Sequence, residues 1–311
     1  MGKSTSEGLL NPETTISPVE LLDHKQVEWQ RVRRTRYLIH QHLSYKYPGP
    51  IYDLSQRLML LPPKQHGNQC LVDYHLNVSS TNYEVNCCDD DYGNREINLL
   101  VPSVERSISF DADIVVERNA DNSRPHYVSA DWLTDSRMLE PSILTYPDEV
   151  LRRAAATFQA GGAQGLDLAR QINAWTYRAL RYAHDVTDIH TTAARALAFG
   201  SGVCQDYAHI MLSLCRLCEL PARYVSGHML GEGGTHAWVE VLLPVAEEPD
   251  AALVVPFDPT HGRQARLDYL TIAVGRDFYD VSPTSGTFRA PYRGELRTHK
   301  HVGLMLLEYA D

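Results

Sequence analysis

Gly200-Ser201-Gly202-Val203-Cys204-Gln205-Asp206-Tyr207-Ala208-His209 is the stretch on which the reading of this chain turns. From Tyr207 onward, Ile210, Met211, Leu214, Leu217 and Cys218 recur every three or four residues, the mark of a helix with one buried face. Pro221 ends it. Gly200 and Gly202 free the backbone just ahead, so Cys204 is expected in the first helical turn. Unpaired backbone N–H groups and the positive end of the helix dipole favour an anion there. Taken alone, Cys204 still reads as a small core hydrophobe, the usual role of a cysteine near a helix.

Two later segments change that reading. Thr235-His236-Ala237-Trp238-Val239-Glu240-Val241-Leu242-Leu243 alternates like a strand, and Leu253-Val254-Val255-Pro256-Phe257-Asp258 reads as a second. Pro244 to Asp250, with two prolines and three acids, is the expected turn between them. With Leu243 and Ala251 flanking the turn, antiparallel counting sets His236 directly opposite Asp258. Cross-strand neighbours have Cβ atoms about 4.5–5.5 Å apart, close enough for a carboxylate to hold an imidazole. Cysteine, histidine and aspartate in this order then supply a nucleophile, its base and an orienting group. The count depends on register, since a slip of one residue turns a side chain to the other face.

These residues also carry a family resemblance. Gly202 to His209, Pro221-Ala222-Arg223-Tyr224-Val225-Ser226-Gly227, His236-Ala237-Trp238 and Asp258-Pro259-Thr260 resemble, in order, the core motifs of the transglutaminase-like superfamily. Gly275-Arg276-Asp277 and Asp280-Val281-Ser282-Pro283 further resemble its bacterial branch. Several separated motifs in one order are more specific than a single short pattern. The resemblance spans roughly residues 150–290, and the strands before them are similar to that branch's N-terminal β domain. It implies cysteine chemistry at Cys204, His236 and Asp258. It also puts Tyr182 where the family often has an aromatic hydroxyl near the nucleophile, and includes Gln205 and Asp206 in the motif. Trp238 shares the His236 face of its strand and is a candidate wall of the substrate groove. The alternatives are a half-buried ring at a helix end for Tyr182, a fixed loop and helix start for Gln205 and Asp206, and packing for Trp238.

The chain has 311 residues, enough for one large or two modest domains with real cores. Its 43% apolar and 22% charged residues are those of an ordinary soluble globular protein. A net charge of −10 speaks against nucleic acid or an anionic membrane as the main partner. Met1 to Pro12 has no long apolar core and reads as neither a signal peptide nor a membrane span. Six cysteines in a chain this long do not read as a disulfide framework, so a cytoplasmic, reducing setting that keeps Cys204 free is expected.

Residues 1–34 are expected to form an N-terminal extension with a helix. Ser17-Pro18-Val19-Glu20 offers an N-cap, a proline at the first helical position and a capping-box glutamate, and the helix should run to about Val32. Over residues 35–119 the period is two. Tyr37, Ile39, Leu43, Tyr45 and Tyr47 share a face, as do Cys70, Val72, Tyr74, Leu76 and Val78, and again Ile108, Phe110, Ala112, Ile114 and Val116. Broken by Pro62-Pro63, Gly67-Asn68 and Gly93-Asn94, these runs read as an antiparallel β-sandwich. Residues 120–147 are a proline-punctuated connection. Residues 148–311 are expected to be the catalytic domain, with helices over Asp148–Gln159, Leu166–Tyr182 and Ala193–Phe199 before the Cys204 helix. Thr191 or Thr192 caps the third of these and Gly200 stops it. The class is α+β: an N-terminal sandwich followed by a papain-like or transglutaminase-like core.

Neither cofactor nor metal is expected. Cys215-x-x-Cys218 has the spacing of half a zinc site, but no second ligand pair follows nearby and the segment is mid-helix. Asp89 to Asn94 lacks the alternating carboxylates and distal glutamate of a calcium loop. The expected activity is hydrolysis of a peptide or amide bond in a protein or peptide substrate, through a thioester. Transamidation onto an amine is the alternative among enzymes, and a non-catalytic peptide-binding scaffold the alternative outside them. These patterns leave oligomeric state open.

Overall fold

The computed structural model describes residues 20–120 and 125–310. β1 (Val32–Lys46), β2 (Ile51–Leu58), β3 (Gln65–His66), β4 (Gln69–Val78), β5 (Glu84–Asp89), β6 (Arg95–Val104) and β7 (Ser107–Asn119) follow one another first. Their alternation does what it predicts: Tyr37, Ile39 and Leu43 of β1 and Ile108, Phe110, Ala112, Ile114 and Val116 of β7 are all buried. β4 departs from the pattern. A bulge between Leu71 and Asp73 shifts its register against β7, so Cys70 and Val72, read as core, are exposed while Leu71 turns inward.

The expected helix running to Val32 is not there in the described residues. Residues 20–31 are turns with one bridge, in which the Leu22 N–H donates to the Leu304 carbonyl at 2.8 Å. The backbone finds its partner on the free edge of another strand rather than in its own preceding turn. Ser17, Pro18 and Val19, which were to start the helix, lie outside the described residues, as does the rest of the polar lead.

The second half contains β8 (Tyr127–Ser129), α1 (Ser136–Leu139), α2 (Glu149–Ala160), α3 (Gly165–Ala179), β9 (Arg181–Tyr182), α4 (Ala193–Phe199), β10 (Ser201–Gly202) and α5 (Cys204–Leu217). Then come β11 (Ala222–Met229), β12 (His236–Pro244), β13 (Ala251–Asp258), β14 (Arg263–Gln264), β15 (Tyr269–Gly275), β16 (Thr284–Arg289) and β17 (Glu295–Tyr309). The helices start where the caps say: Asp148 accepts from the Leu151 N–H at 2.9 Å and Thr192 from the Arg195 N–H at 3.3 Å. α3 stops at Ala179, short of the expected Tyr182, because Arg181 and Tyr182 pair in parallel with Ser201 and Gly202. Among the described residues no helix is long and apolar enough to cross a membrane.

The central antiparallel sheet runs β14-β13-β12-β11-β15, with β8 beside β13. α5 lies on one face of it. Ile210, Met211 and Leu214 share a core with Ala237, Val239, Val241 and Phe257, which leaves Trp238, Glu240 and Leu242 on the far side of β12.

β16 and β17 correct the expected boundary of the catalytic domain at 148–311. β16 pairs with β2, and β17 pairs with β1 from Val32↔Tyr309 to Lys46↔Glu295. The sandwich therefore consists of the sheets β17-β1-β7-β4-β3 and β16-β2-β6-β5. Its core takes in Val302 and Leu304 from β17 together with Leu230, Leu270 and Ile272 beside or within the central sheet. The cause is an edge: without β17, the 15-residue β1 would present an unpaired row of backbone groups.

Deleting Glu295–Tyr309 should therefore cripple the sandwich rather than trim the catalytic domain. Each buried aliphatic lost costs about 2–5 kcal/mol, against a total stability of about 5–15 kcal/mol. Soluble yield and a thermal melt of the shortened chain read this out. A shortened protein melting with the full chain would restore the boundary at 148–311.

Candidate active site

The approach to Cys204 is built from three small devices. α4 ends at Gly200, whose φ of +65° is the left-handed cap a side chain disfavours. Ser201 and Gly202 then pair with β9, and Cys204 becomes the first residue of α5, with Val203 as N-cap. The Asp206 carboxylate folds back over this start: its Oδ2 accepts from the Val203 N–H at 2.8 Å and the Thr187 hydroxyl at 2.6 Å. A Cβ on Gly202 would lie 2.5 Å from that same oxygen, so only glycine admits the fold-back. Burial raises the Asp206 pKa, against the pull of these donors. The Cys204 Sγ is half-buried, 3.9 Å from the Thr235 carbonyl oxygen. The Thr235 hydroxyl in turn accepts from Lys300 of β17, whose ammonium burial pushes down to about 8.

His236 and Asp258 meet, but by a different count from the expected one. Val239 faces Phe257 and Pro244 faces Ala252, so the turn begins after Pro244 and Asp258 falls level with Trp238. A shift of two residues keeps a side chain on its face, so the pair becomes a diagonal one. His236 Nε2 lies 2.8 Å from Asp258 Oδ2, with both residues fully buried. The same oxygen accepts from the Tyr269 hydroxyl at 2.6 Å and faces His261 Nδ1 at 2.7 Å, while Oδ1 accepts the Thr260 and His261 backbone N–H groups. Arg263 Nε donates to the Tyr269 hydroxyl at 3.1 Å.

Burial alone would lower the imidazole and raise the carboxyl, and the pairing reverses both. The Asp258 hydrogen bond, then Cys204 and Glu232, lift His236 from 6.5 to about 12. The donors around Asp258 hold it well below the usual carboxylate range. His236 Nδ1 is buried without a well-aligned hydrogen-bond partner, and Glu232 Oε2 stands 3.3 Å from it. Since Nε2 belongs to Asp258, Nδ1 is the nitrogen left for Cys204.

Tyr182 joins this group. It is half-exposed and lines a cleft of ≈ 1020 Å³ with Tyr177, Arg178, His184, Tyr207, Glu232, Gly233, Gly234, Thr235, Thr260 and His261. Burial raises its phenol, and so do Cys204 and Glu232. Trp238 does not wall the groove. It is 1% exposed beneath the site, stacked on His236 with centroids 6.2 Å apart and edge-on to Tyr269 at 5.4 Å. Gln205 turns away, its amide 3.4 Å from the Ile189 carbonyl. Burial raises both Cys215 and Cys218, as suits structural thiols.

Sequence reasoning missed Glu232, His261 and Tyr269. His261 follows Asp258 by three residues in Asp-Pro-Thr-His and so had a local signal; Tyr269 is brought in only by the β15 strand. Among the described residues two groups have the atoms to hold a metal ion: His236 with Asp258 and His261, and His66 with His126 and Glu240. The first is already spent on mutual hydrogen bonds.

Residues 152–259, which contain all three candidate triad residues, match the transglutaminase-like superfamily, and residues 37–117 match the bacterial transglutaminase-like N-terminal region. The chain belongs to the transglutaminase-like superfamily. An uncharacterized Mycobacterium tuberculosis protein is 25% identical over 278 residues, 81% of this chain and 87% of that one. A Mycobacterium leprae protein is 32% identical over 124 residues, 37% of this chain and 42% of its own. The crystal structure of a candidate cysteine protease from Cytophaga hutchinsonii superposes with a TM-score of 0.71 at 19% identity, covering 90% of this chain and 94% of that one. At that identity the likeness shows a shared fold.

The electrostatics predict how His236 titrates. A pKa raised in the folded state contributes stability in full below the unfolded value of 6.5 and loses it as pH climbs toward about 12. Asp258, held below its ordinary 3.8, contributes above that value and loses it as pH falls. Together they stabilise fully between about pH 4 and 6.5. In histidine NMR titrations the His236 ring should remain charged at pH 8, and Asp258→Asn should bring its titration down. An unshifted ring in wild type would contradict this.

Proposed function

We propose that this protein is a cysteine-dependent acyl-transfer enzyme that hydrolyses peptide or amide bonds through a thioester on Cys204. One observation carries the reading: a buried, charge-sharing His236–Asp258 pair beside a cysteine at the first position of a helix. The Cys204 thiolate attacks the substrate carbonyl carbon. The oxygen takes up the displaced electron pair and is met by the backbone N–H at the helix start. His236 gives its proton to the departing amine as the C–N bond breaks. Water, deprotonated by His236, then attacks the thioester and releases the acid. Asp258 acts through His236, keeping its ring oriented and charged, with Tyr269 and His261 holding the carboxylate in turn.

The cleft beside Cys204 is large enough for an extended peptide and is open to solvent, which supports water as the acceptor and a protein or peptide as the substrate. One feature favours the second reading, transfer to an amine: the half-exposed Glu232 carboxylate in the cleft attracts cationic acceptors. The setting we assign is the reducing cytoplasm, where a thiol nucleophile stays free, and neither nucleic acid nor membrane has a part in this reading.

Cys204→Ala removes one half-buried sulfur and should abolish turnover of an amide substrate while melting near wild type, since alanine suits a helix. Asp258→Asn should lose roughly the 10⁴-fold in kcat that the same change costs a serine triad. Leu214→Ala, at a fully buried position of α5, should instead cost about 2–5 kcal/mol of stability. Thermal melts beside amide hydrolysis separate these cases. If Cys204→Ala melted as early as Leu214→Ala, Cys204 would be a core residue and the nucleophile assignment would fall. Appearance of an amine-linked product in place of acid would move the assignment to transamidation.

A further inference from the structure

Away from the triad, three side chains with metal-ligating atoms converge where the sandwich meets the catalytic sheet. His66 ends β3, His126 precedes β8, and Glu240 sits on β12 on the side turned from α5. One ligand atom from each lies within 4.8 Å of the others. His66 Nε2 is 2.7 Å from Glu240 Oε1, and the two imidazoles meet edge to face with centroids 4.5 Å apart. The His126 ring rests directly on Gly67: a Cβ there would come 2.8 Å from its Cγ and 2.9 Å from its Nδ1, at a φ of +54°. Any larger residue would push His126 out of the group.

The surroundings are those of a prepared site. Glu240 is 3% exposed, and its Oε2 is taken by Arg223 Nε and Nη2, both at 2.8 Å. That fork fixes the carboxylate and leaves Oε1 turned toward His66, the way outer partners orient metal ligands. His66 and His126 line both of two clefts that meet here, of ≈ 610 and ≈ 440 Å³, so an ion has a route in and room for a water at a fourth position. Arg223 and Arg118 both act on Glu240 and temper its pull on a cation.

We propose that His66, His126 and Glu240 form a divalent-metal site of the zinc-accepting kind that ties β3 of the sandwich to β12 of the catalytic sheet. Two imidazoles, a carboxylate and one open position make an N/O set that zinc takes readily. An ion held there replaces the proton His66 Nε2 now shares with Glu240 Oε1. The site has no ligand in common with Cys204, His236 or Asp258, so it staples the domains and takes no part in acyl transfer.

The test uses the full chain, stripped with a chelator and titrated with Zn2+ by calorimetry and Co2+ by visible absorption. Wild type should bind one equivalent, show the absorption of a four-coordinate cobalt ion, and gain in Tm with added Zn2+ as linkage requires. His66→Ala and His126→Ala should each weaken binding by roughly tenfold or more and lose the Tm gain. His261→Ala, at the other cluster, should keep both. Circular dichroism of the metal-free variants separates a lost ion from a lost fold. Should either variant fail to fold, Gly67→Ala displaces His126 while leaving all three ligands in the chain. No uptake by wild type, uptake unchanged in folded His66 or His126 variants, or uptake that disappears with His261 would each overturn the proposal.

Discussion

Burying an imidazole beside a carboxylate strips both of water, and neither tolerates that alone. Removing one partner of such a pair costs about 3–5 kcal/mol because the other is left as an uncompensated charge. Much of the central sheet answers to this demand. Asp258 ends β13, His236 starts β12, Tyr269 starts β15 and Arg263 lies on β14, and all four connect within hydrogen-bond range. Trp238 beneath the imidazole keeps water from that side. Three strands are thus tied at one corner by a single carboxylate, and β14 joins them through the Tyr269 hydroxyl.

The cysteine side is organised by a different force, the unpaired donors of a helix start. Asp206 satisfies the Val203 N–H and so closes the helix end without lining the cleft. The resulting loop needs Gly202 for clearance and Thr187 as the second donor to the carboxylate. Asp206 acts here as scaffolding, and Gln205 is tied into the neighbouring loop in the same sense.

Much of this was legible in the sequence because it rests on local periodicity and caps. The α4 limits, the start of α5 and the faces of β1 and β7 follow from spacing, Thr192, Gly200 and alternation. The His236–Asp258 contact was also legible, although by a count two residues out: a two-residue error leaves the face unchanged, where a one-residue error would have hidden the pair. What escaped is non-local. The β4 bulge depends on fit to β7, and Tyr269, Glu232 and the His66–His126–Glu240 group depend on chain crossings with no spacing signature. Trp238 was misjudged because its strand face is turned toward a neighbouring layer that sequence does not display. The C-terminal residues fall to the domain they follow in the chain, since sequence order says nothing about which strand they pair with.

Topologically, the transglutaminase-like core is an insertion into the sandwich, entered after β7 and left before β16. Arg34 and Glu308 pair across 274 positions. Closing so long a loop costs only roughly 2 kcal/mol more than closing one of about 30 residues, so the arrangement is tolerable at equilibrium. During synthesis it is less benign. A ribosome releases about 5–20 residues per second, and the sheet that begins at β1 waits for nearly the whole chain before its edge is covered. The strand pairings of β11–β15 need no contribution from β17. Yet the Lys300 contact with Thr235, next to His236, forms only with the final strand. The same strand that seals the sandwich sets the loop beside Cys204, so in a growing chain the setting of that cysteine and the completed architecture arrive together.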